Sequence, residues 1–359
     1  MTLPRLTIIA LLFLMTNVNG HTASLEWDDA ASRQLNERIE AGDYGTMTSI
    51  LISRDGKPVH EGYYNDTDAT TLHNTRSVTK TMTGMAVAIA IADGDLTLDS
   101  KVAPFFPELM PFANPDPRKQ DITVKDLLTM SGPLECDDWN NVSRGNEERM
   151  YIVEDWSRFY WDLPMAGYPS WKTPPSKSAY GRVFSYCTAG VQILGEVVER
   201  ATGTTTTDLI EQRLFAPMAI SEFKWPRTGT GVAHLGGGLE LTTRSLAKFA
   251  ELQRNDGAHG KQQLYPKAWA KASSEVSIDI LESPGFLYGY LWWLMPYEVD
   301  GKSYYAVGMN GNGGNRVVVL PDFDVTIVQT NVDYNTREMH QNAGKFFQTE
   351  VVARLSSSD

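Results

Sequence analysis

Ser77-Val78-Thr79-Lys80-Thr81-Met82-Thr83-Gly84-Met85-Ala86-Val87-Ala88-Ile89-Ala90-Ile91-Ala92 decides the reading of this chain. The residues after Lys80 are small or apolar on every face, the pattern of a helix buried all round rather than one with a wet side. Asp93-Gly94 supplies its stop signal. Ser77 and Lys80 sit at its start, three positions apart and therefore on one helix face. A serine and a lysine so placed can form a nucleophile with its own base.

The same spacing recurs at Ser221/Lys224 and Ser245/Lys248, so the tetrad alone is a weak signal. Context separates the three. Ser245 and Lys248 lie in an ordinary amphipathic helix with a solvated face, and Ser221 follows a helix end; both pairs read as structural.

Composition bounds the rest. At 359 residues the chain exceeds the usual single-domain size, so two lobes are expected. A net charge of −12 without any Lys/Arg cluster argues against a nucleic-acid or anionic-membrane partner. Arg5, the apolar run Leu6 to Met15, and small or polar residues to Gly20 have the layout of a secretory signal peptide over residues 1–20. The run is too short to span a bilayer, so the expected location is periplasmic or secreted, with no stable span after cleavage. Cys136 and Cys187 are the only cysteines, too few for a disulfide framework or a cysteine metal site. The histidines have no metal spacing, and His-Glu-x-x-His, P-loop and Gly-x-Ser-x-Gly patterns are absent. Asp137-Asp138 and Glu147-Glu148 read as a solvated acidic loop rather than a cation site.

A helix is expected at Trp27 to Ile39. Thr46 to Ser53 and Pro58 to Tyr64 read as a hairpin turning at Asp55-Gly56. At the other end Ser303 to Val307, Arg316 to Leu320 and Asp324 to Gln329 read as strands, and Thr336 to Leu355 as a closing helix. One antiparallel sheet built from both chain ends and flanked by helices follows, an α/β (α+β) class. Ten of the 18 prolines fall between Pro104 and Pro175, among helical segments such as Val124 to Met130 and Val191 to Ala201. The division expected is an α/β lobe from 21–99 and 228–359, with a mostly helical lobe, 100–227, inserted. Trp139, Trp156, Trp161 and Trp171 in that insertion either line a cleft or pack its core.

Further blocks accompany the tetrad in order along the chain. These are Ile122 to Gly132 (ITVKDLLTMSG), Phe184-Ser185-Tyr186 leading into Leu194-Gly195-Glu196, Gly236-Gly237-Gly238-Leu239, and Gly311-Asn312-Gly313-Gly314-Asn315 ahead of Val317 to Pro321. Together with Ser77-Val78-Thr79-Lys80 they resemble the class C beta-lactamase and penicillin-binding-protein-like serine hydrolases. The resemblance implies a beta-lactamase-like fold with the active site between the lobes. It also implies Ser77 as nucleophile, Lys80 as base, Tyr186 as proton relay, and Gly311 and Asn312 at the oxyanion and substrate-binding strand. No cofactor and no metal is implied.

The chemistry sets its own demand. Proton removal by a positioned base contributes about 10²–10⁴-fold. For Lys80 to serve, its pKa must fall from about 10.4 to near 7, which is roughly 4–5 kcal/mol. A helix N-terminus supplies only about 0.3–1 kcal/mol, or up to about 2 when partly buried. Burial and polar neighbours must do the remainder.

Two departures from the family pattern shape the substrate expectation. Cys187 and Thr188 follow Tyr186 where the family has Tyr-x-Asn, a variant similar to its 6-aminohexanoate-dimer hydrolase and esterase branch. Met309-Asn310-Gly311 lacks the Lys or His that attracts a substrate carboxylate, leaving Arg182 or another remote cation to compensate. A small uncharged ester or amide is therefore expected, with Tyr288, Trp292 and Trp293 favouring an apolar group. The alternatives are a true beta-lactamase or D-alanyl-D-alanine carboxypeptidase, and a non-catalytic module that binds cell-wall fragments. The match also places Cys136 and Cys187 on two segments that border the cleft, so a disulfide beside Tyr186 is expected.

Overall fold

The computed structural model describes residues 24–167, 184–275, 278–280 and 283–357; the segment 1–20, Trp171 and Arg182 lie outside them. The N-terminal helix α1 (Asp29–Glu40) leads into strands β1 (Met47–Arg54) and β2 (Lys57–Tyr63). Next come α2 (Thr79–Asp93), α3 (Val124–Leu128), α4 (Glu147–Met150), α5 (Trp156–Trp161), α6 (Thr188–Thr202) and α7 (Thr243–Arg254). Strands β3 (Ile278–Asp279), β4 (Leu287–Gly289), β5 (Trp292–Val299), β6 (Lys302–Gly311), β7 (Asn315–Leu320) and β8 (Val325–Asn331) precede the last helix, α8 (Met339–Phe346).

These strands form one antiparallel eight-stranded sheet in the order β2-β1-β8-β7-β6-β5-β4-β3, so both chain ends build it as the patterning requires. The first turn is the Asp55-Gly56 hairpin, with φ of 51° and 71° at the two central residues. Such a left-handed pair matches the twist of the strands it joins. Alternate residues feed two cores. Val317, Val319 and Val328 join the apolar cluster under α2, α6 and α7. Val318, Leu320 and Ile327 join the one under α1 and α8.

Three strands escape the sequence pattern. Pro296 lies inside β5, where a proline argues against a strand. The β4–β5 turn is made by Tyr290 and Leu291 at φ 44° and 67°, with no glycine at either left-handed position. Tertiary contacts hold that turn instead: Leu291 N donates to Leu128 O at 2.9 Å, and Thr81 Oγ1 donates to Leu291 O at 2.7 Å. The closing helix also differs from expectation. After Phe346 it loosens into a π turn over Phe347–Val351 and then a 3₁₀ turn over Val352–Arg354. Glu350, fully buried in that turn, meets Arg38, Arg354 and the Tyr44 hydroxyl, an ion network that joins the two chain ends.

Helix α2 is buried from Thr79 to Ala90, and Gly94 at φ 89° caps its end. It packs on α6, so the helical segments share one apolar cluster with the sheet. Among the described residues no helix is long and apolar enough to cross a membrane.

Candidate active site

The Ser77 segment is held from two sides. Ser77 sits in a 3₁₀ turn, Arg76–Val78, that runs into α2. Arg76 adopts φ +51°, a conformation that costs a non-glycine residue about 1–3 kcal/mol and persists only where its surroundings impose it. They do. Arg76 O accepts from Gly238 N at 3.1 Å and from Thr79 Oγ1 at 2.8 Å, while Thr75 N and Oγ1 both donate to Leu239 O. The Gly236-Gly237-Gly238-Leu239 block is thus a clamp on the segment that carries Ser77.

Lys80 is 1% exposed. Its Nζ lies 2.9 Å from Ser77 Oγ and 2.6 Å from Gly236 O, with the Tyr186 ring centroid at 5.0 Å. Gly236 must be glycine here, because a Cβ would stand 2.7 Å from Thr188 Cγ2. Burial drives the Lys80 ammonium pKa down, opposed by Glu147 and Asp138. A lysine in this state can accept the serine proton, the requirement that the helix dipole alone does not meet.

Tyr186 is positioned by the residues around it. Cys136 and Cys187 form a disulfide, Asp138 N donates to Tyr186 O at 2.8 Å, and Ser185 Oγ donates to Cys136 O at 2.6 Å. Burial raises the phenol well above the ordinary tyrosine value, and the Ser77 hydroxyl opposes that rise. A proton therefore stays on Tyr186, close to Ser77. Trp139 stacks on the Tyr186 ring at 5.7 Å and 11°, and Trp293 lies at 5.7 Å from it. Phe184 and Tyr288 complete an aromatic wall. Trp139, at 47% exposure, lines the site, whereas Trp156 and Trp161 are buried in the core.

Gly311 ends β6 against the Ser77 turn: a Cβ there would stand 2.3 Å from Thr75 O and 3.4 Å from Arg76 Cβ. Gly311→Ala is accordingly expected to push that turn aside. A displacement of about 1 Å costs about 10² in rate, so kcat should fall about 100-fold with KM little changed and the fold intact by circular dichroism. Wild-type kcat in the folded variant would show that the close approach is unimportant. The Asn312 side chain is engaged elsewhere, donating to Asn335 Oδ1 at 2.7 Å and accepting from Asn335 N at 2.8 Å. Only its backbone is left for a substrate.

The other Ser-x-x-Lys pairs are structural. Ser245 N donates to Thr242 Oγ1 at the start of α7, and Lys248 Nζ donates to Ala219 O. Lys224 pairs with Glu240, and Ser221 is exposed.

One expectation is corrected. Asp138 and Glu147 are not part of a solvated loop: both turn inward onto Thr188, which is fully buried. Asp138 Oδ2 accepts from Thr188 N and Oγ1, each at 2.7 Å, and Glu147 Oε2 lies 2.8 Å from Thr188 Oγ1. Thr188 was visible only as the residue that replaces the family asparagine. Nothing in the local pattern signals that two loops converge on its hydroxyl. Among the described residues no group of three or more His, Cys, Asp or Glu is arranged to hold a metal ion.

The Beta-lactamase family pattern matches residues 37–345. Penicillin-binding protein 4 of Amycolatopsis lactamdurans is 25% identical over 277 residues, covering 68% of this chain and 67% of that protein. The 6-aminohexanoate-dimer hydrolase of Paenarthrobacter ureafaciens is 23% identical over 321 residues, covering 85% and 77%. A D-stereospecific amidohydrolase from Streptomyces sp. superposes with a TM-score of 0.64 at 17% identity, over 89% of this chain and 98% of that one. The chain belongs to the beta-lactamase family of serine hydrolases, and its fold is beta-lactamase-like.

Proposed function

We propose that this member of the beta-lactamase family hydrolyses a small uncharged ester or amide through an acyl-enzyme on Ser77. The observation that carries the reading is the buried Lys80 Nζ at 2.9 Å from Ser77 Oγ. In this scheme neutral Lys80 takes the serine proton as Oγ attacks the substrate carbonyl. The developing oxyanion is met by the backbone N–H groups of Ser77 and Asn312; one such donor is worth about 2.7–4 kcal/mol. Ser77 suits that task because the first N–H groups of a helix have no partner within it. The C–O or C–N bond then breaks as Tyr186 gives its proton to the leaving group. Water, activated by the same groups, releases the acid.

The substrate class rests on what the site lacks. Met309-Asn310-Gly311 offers no cation to a substrate carboxylate, and Thr188 is occupied by two carboxyl groups. Beta-lactams and D-Ala-D-Ala peptides carry such a carboxylate, and losing a charged hydrogen-bond partner costs about 1.5–3 kcal/mol, roughly 10–150-fold. The exposed Trp139 and half-buried Trp293, backed by the buried Phe184 and Tyr288, favour an apolar acyl or alcohol group instead. Similarity to proteins named as a dimer hydrolase and an amidohydrolase supports amide chemistry.

A short p-nitrophenyl ester is expected to exceed nitrocefin in kcat/KM by at least that factor. Nitrocefin turnover equal to the ester would replace this reading with a true beta-lactamase. We also place the protein outside the cytoplasm, in a periplasmic or secreted setting. The Cys136–Cys187 bridge supports this, because disulfides persist in oxidising compartments.

A further inference from the structure

We propose that Asp138 and Glu147, bridged by Thr188 Oγ1, hold one proton between them and act as positioning residues that set the charge facing Lys80. The proposal rests on the Ser77–Lys80 reading above and adds to it a part with no counterpart in the motifs.

The argument begins with counting hydrogens. A threonine hydroxyl has one hydrogen and accepts with its lone pairs, whereas an ionised carboxylate only accepts. Thr188 Oγ1 lies 2.7 Å from Asp138 Oδ2 and 2.8 Å from Glu147 Oε2. Its single hydrogen can serve one of them. The other contact is a hydrogen bond only if that carboxyl carries a proton and donates it to Oγ1. Asp138 also accepts from Thr188 N at 2.7 Å and Glu147 N at 2.9 Å, and Glu147 Oε2 accepts from the Tyr151 hydroxyl at 3.0 Å. Burial first, then Glu147, raises the Asp138 carboxyl above the ordinary range. The proton is thus a property of the pair rather than of either residue.

The groups around the pair make Lys80 the one that feels it. Just after α4, the Tyr151 phenol is raised by burial and then by Glu147, and stays neutral. From the loop just before Gly236, burial holds the His234 imidazole down to about 3, with Lys80 and Arg76 acting in the same direction. Tyr186, next to α6, is neutral for the reason given above. Lys80, on α2, is the cation that both acids stabilise. Thr188 Cγ2 abuts Gly236, whose carbonyl accepts from Lys80, so the pair and the lysine are separated by a single glycine.

The consequence is a choice of proton position. With the proton on the acid pair, Lys80 is neutral and faces one negative charge; with the proton on Lys80, the lysine is an ammonium facing two. Only the first form accepts the Ser77 proton. After it has done so, the single remaining charge is the counter-ion of the ammonium. No other bond is made or broken in this exchange.

Glu147→Gln leaves an ammonium at Lys80 facing one carboxylate instead of two, while keeping the shape and an N–H that can donate to Thr188 Oγ1. The acid limb of kcat/KM for a p-nitrophenyl ester is expected to move to lower pH by about one unit, a shift of about tenfold in the proton affinity of Lys80. Glu147→Asp, which restores an ionisable group, should return it toward wild type. A titrating carboxylic-acid carbonyl band in the infrared difference spectrum should be present in wild type and lost in Glu147→Gln. An unmoved limb in folded Glu147→Gln, or a wild-type spectrum without that band, overturns the proposal. If Glu147→Gln fails to fold, the wild-type infrared titration alone decides. Phosphonate labelling of Ser77 separates the two readings: labelled Ser77 with an unmoved limb rejects the acid pair alone, and absence of labelling in wild type rejects the nucleophile.

Discussion

Ser77→Ala is expected to lose turnover by on the order of 10⁵–10⁶, and Lys80→Ala by a similar factor, with the double variant no worse than either. The reason is geometric. Ser77 Oγ and Lys80 Nζ are 2.9 Å apart, and Lys80 is sealed from water, so no solvent molecule can take the place of either group. Residues that act as one unit give non-additive losses because the first deletion already removes the function. The check is kcat on an ester substrate, paired with intact-mass and peptide mapping after treatment with a serine-directed phosphonate. One adduct, on Ser77, is the expected result. An adduct on Ser221 or Ser245, or unimpaired turnover by Ser77→Ala, rejects the assignment. Neither alternative serine is placed to compete, since Lys224 pairs with Glu240 and Lys248 with the Ala219 carbonyl.

What could be read from the residues, and what could not, divides along a physical line. Helix α2 was legible because an all-round apolar run admits one reading, and the Asp55-Gly56 hairpin because its left-handed turn favours those residue types. Both are local signals. The β4–β5 hairpin was not legible, since Tyr290 and Leu291 take left-handed conformations that only Leu128 and Thr81 enforce from elsewhere in the chain. Tertiary contacts there override propensity.

The site divides in the same way. Ser77 and Lys80 share one helix turn, so their spacing carries their proximity. Tyr186 became legible only through the order of the family blocks. Asp138 sits in a loop and Glu147 at the start of the one-turn helix α4, neither with any periodicity, and their common partner, Thr188, is on α6. An acidic loop reads as solvated by default, because most carboxylates are. The absent asparagine after Tyr186 marked the position without revealing what occupies its place. Asn312 shows another limit: the block pointed to its turn, but not to the Asn335 contacts that consume its side chain.

Tyr186→Phe is expected to separate substrates by leaving group. Tyr186 is buried, holds its proton, and faces Ser77, the position from which a departing alkoxide or amine must be protonated. A leaving group of high basicity cannot depart without that proton, and a positioned acid contributes about 10²–10⁴-fold. p-Nitrophenolate departs unprotonated, so acyl transfer from its ester requires no such donor. The loss in kcat/KM should therefore reach about 10²–10⁴ for an alkyl ester or an anilide and stay well below that for the p-nitrophenyl ester of the same acyl group. Removing the phenol oxygen leaves the stacking with Trp139 in place, so the aromatic wall and the fold should survive, which circular dichroism and unchanged KM would verify. The ratio between the two substrates is the informative quantity, because a general disturbance of Ser77 or Lys80 lowers both equally. Equal losses for both leaving groups would assign Tyr186 to proton removal from Ser77 instead. Unchanged rates for both would take it out of the mechanism and leave it as part of the wall.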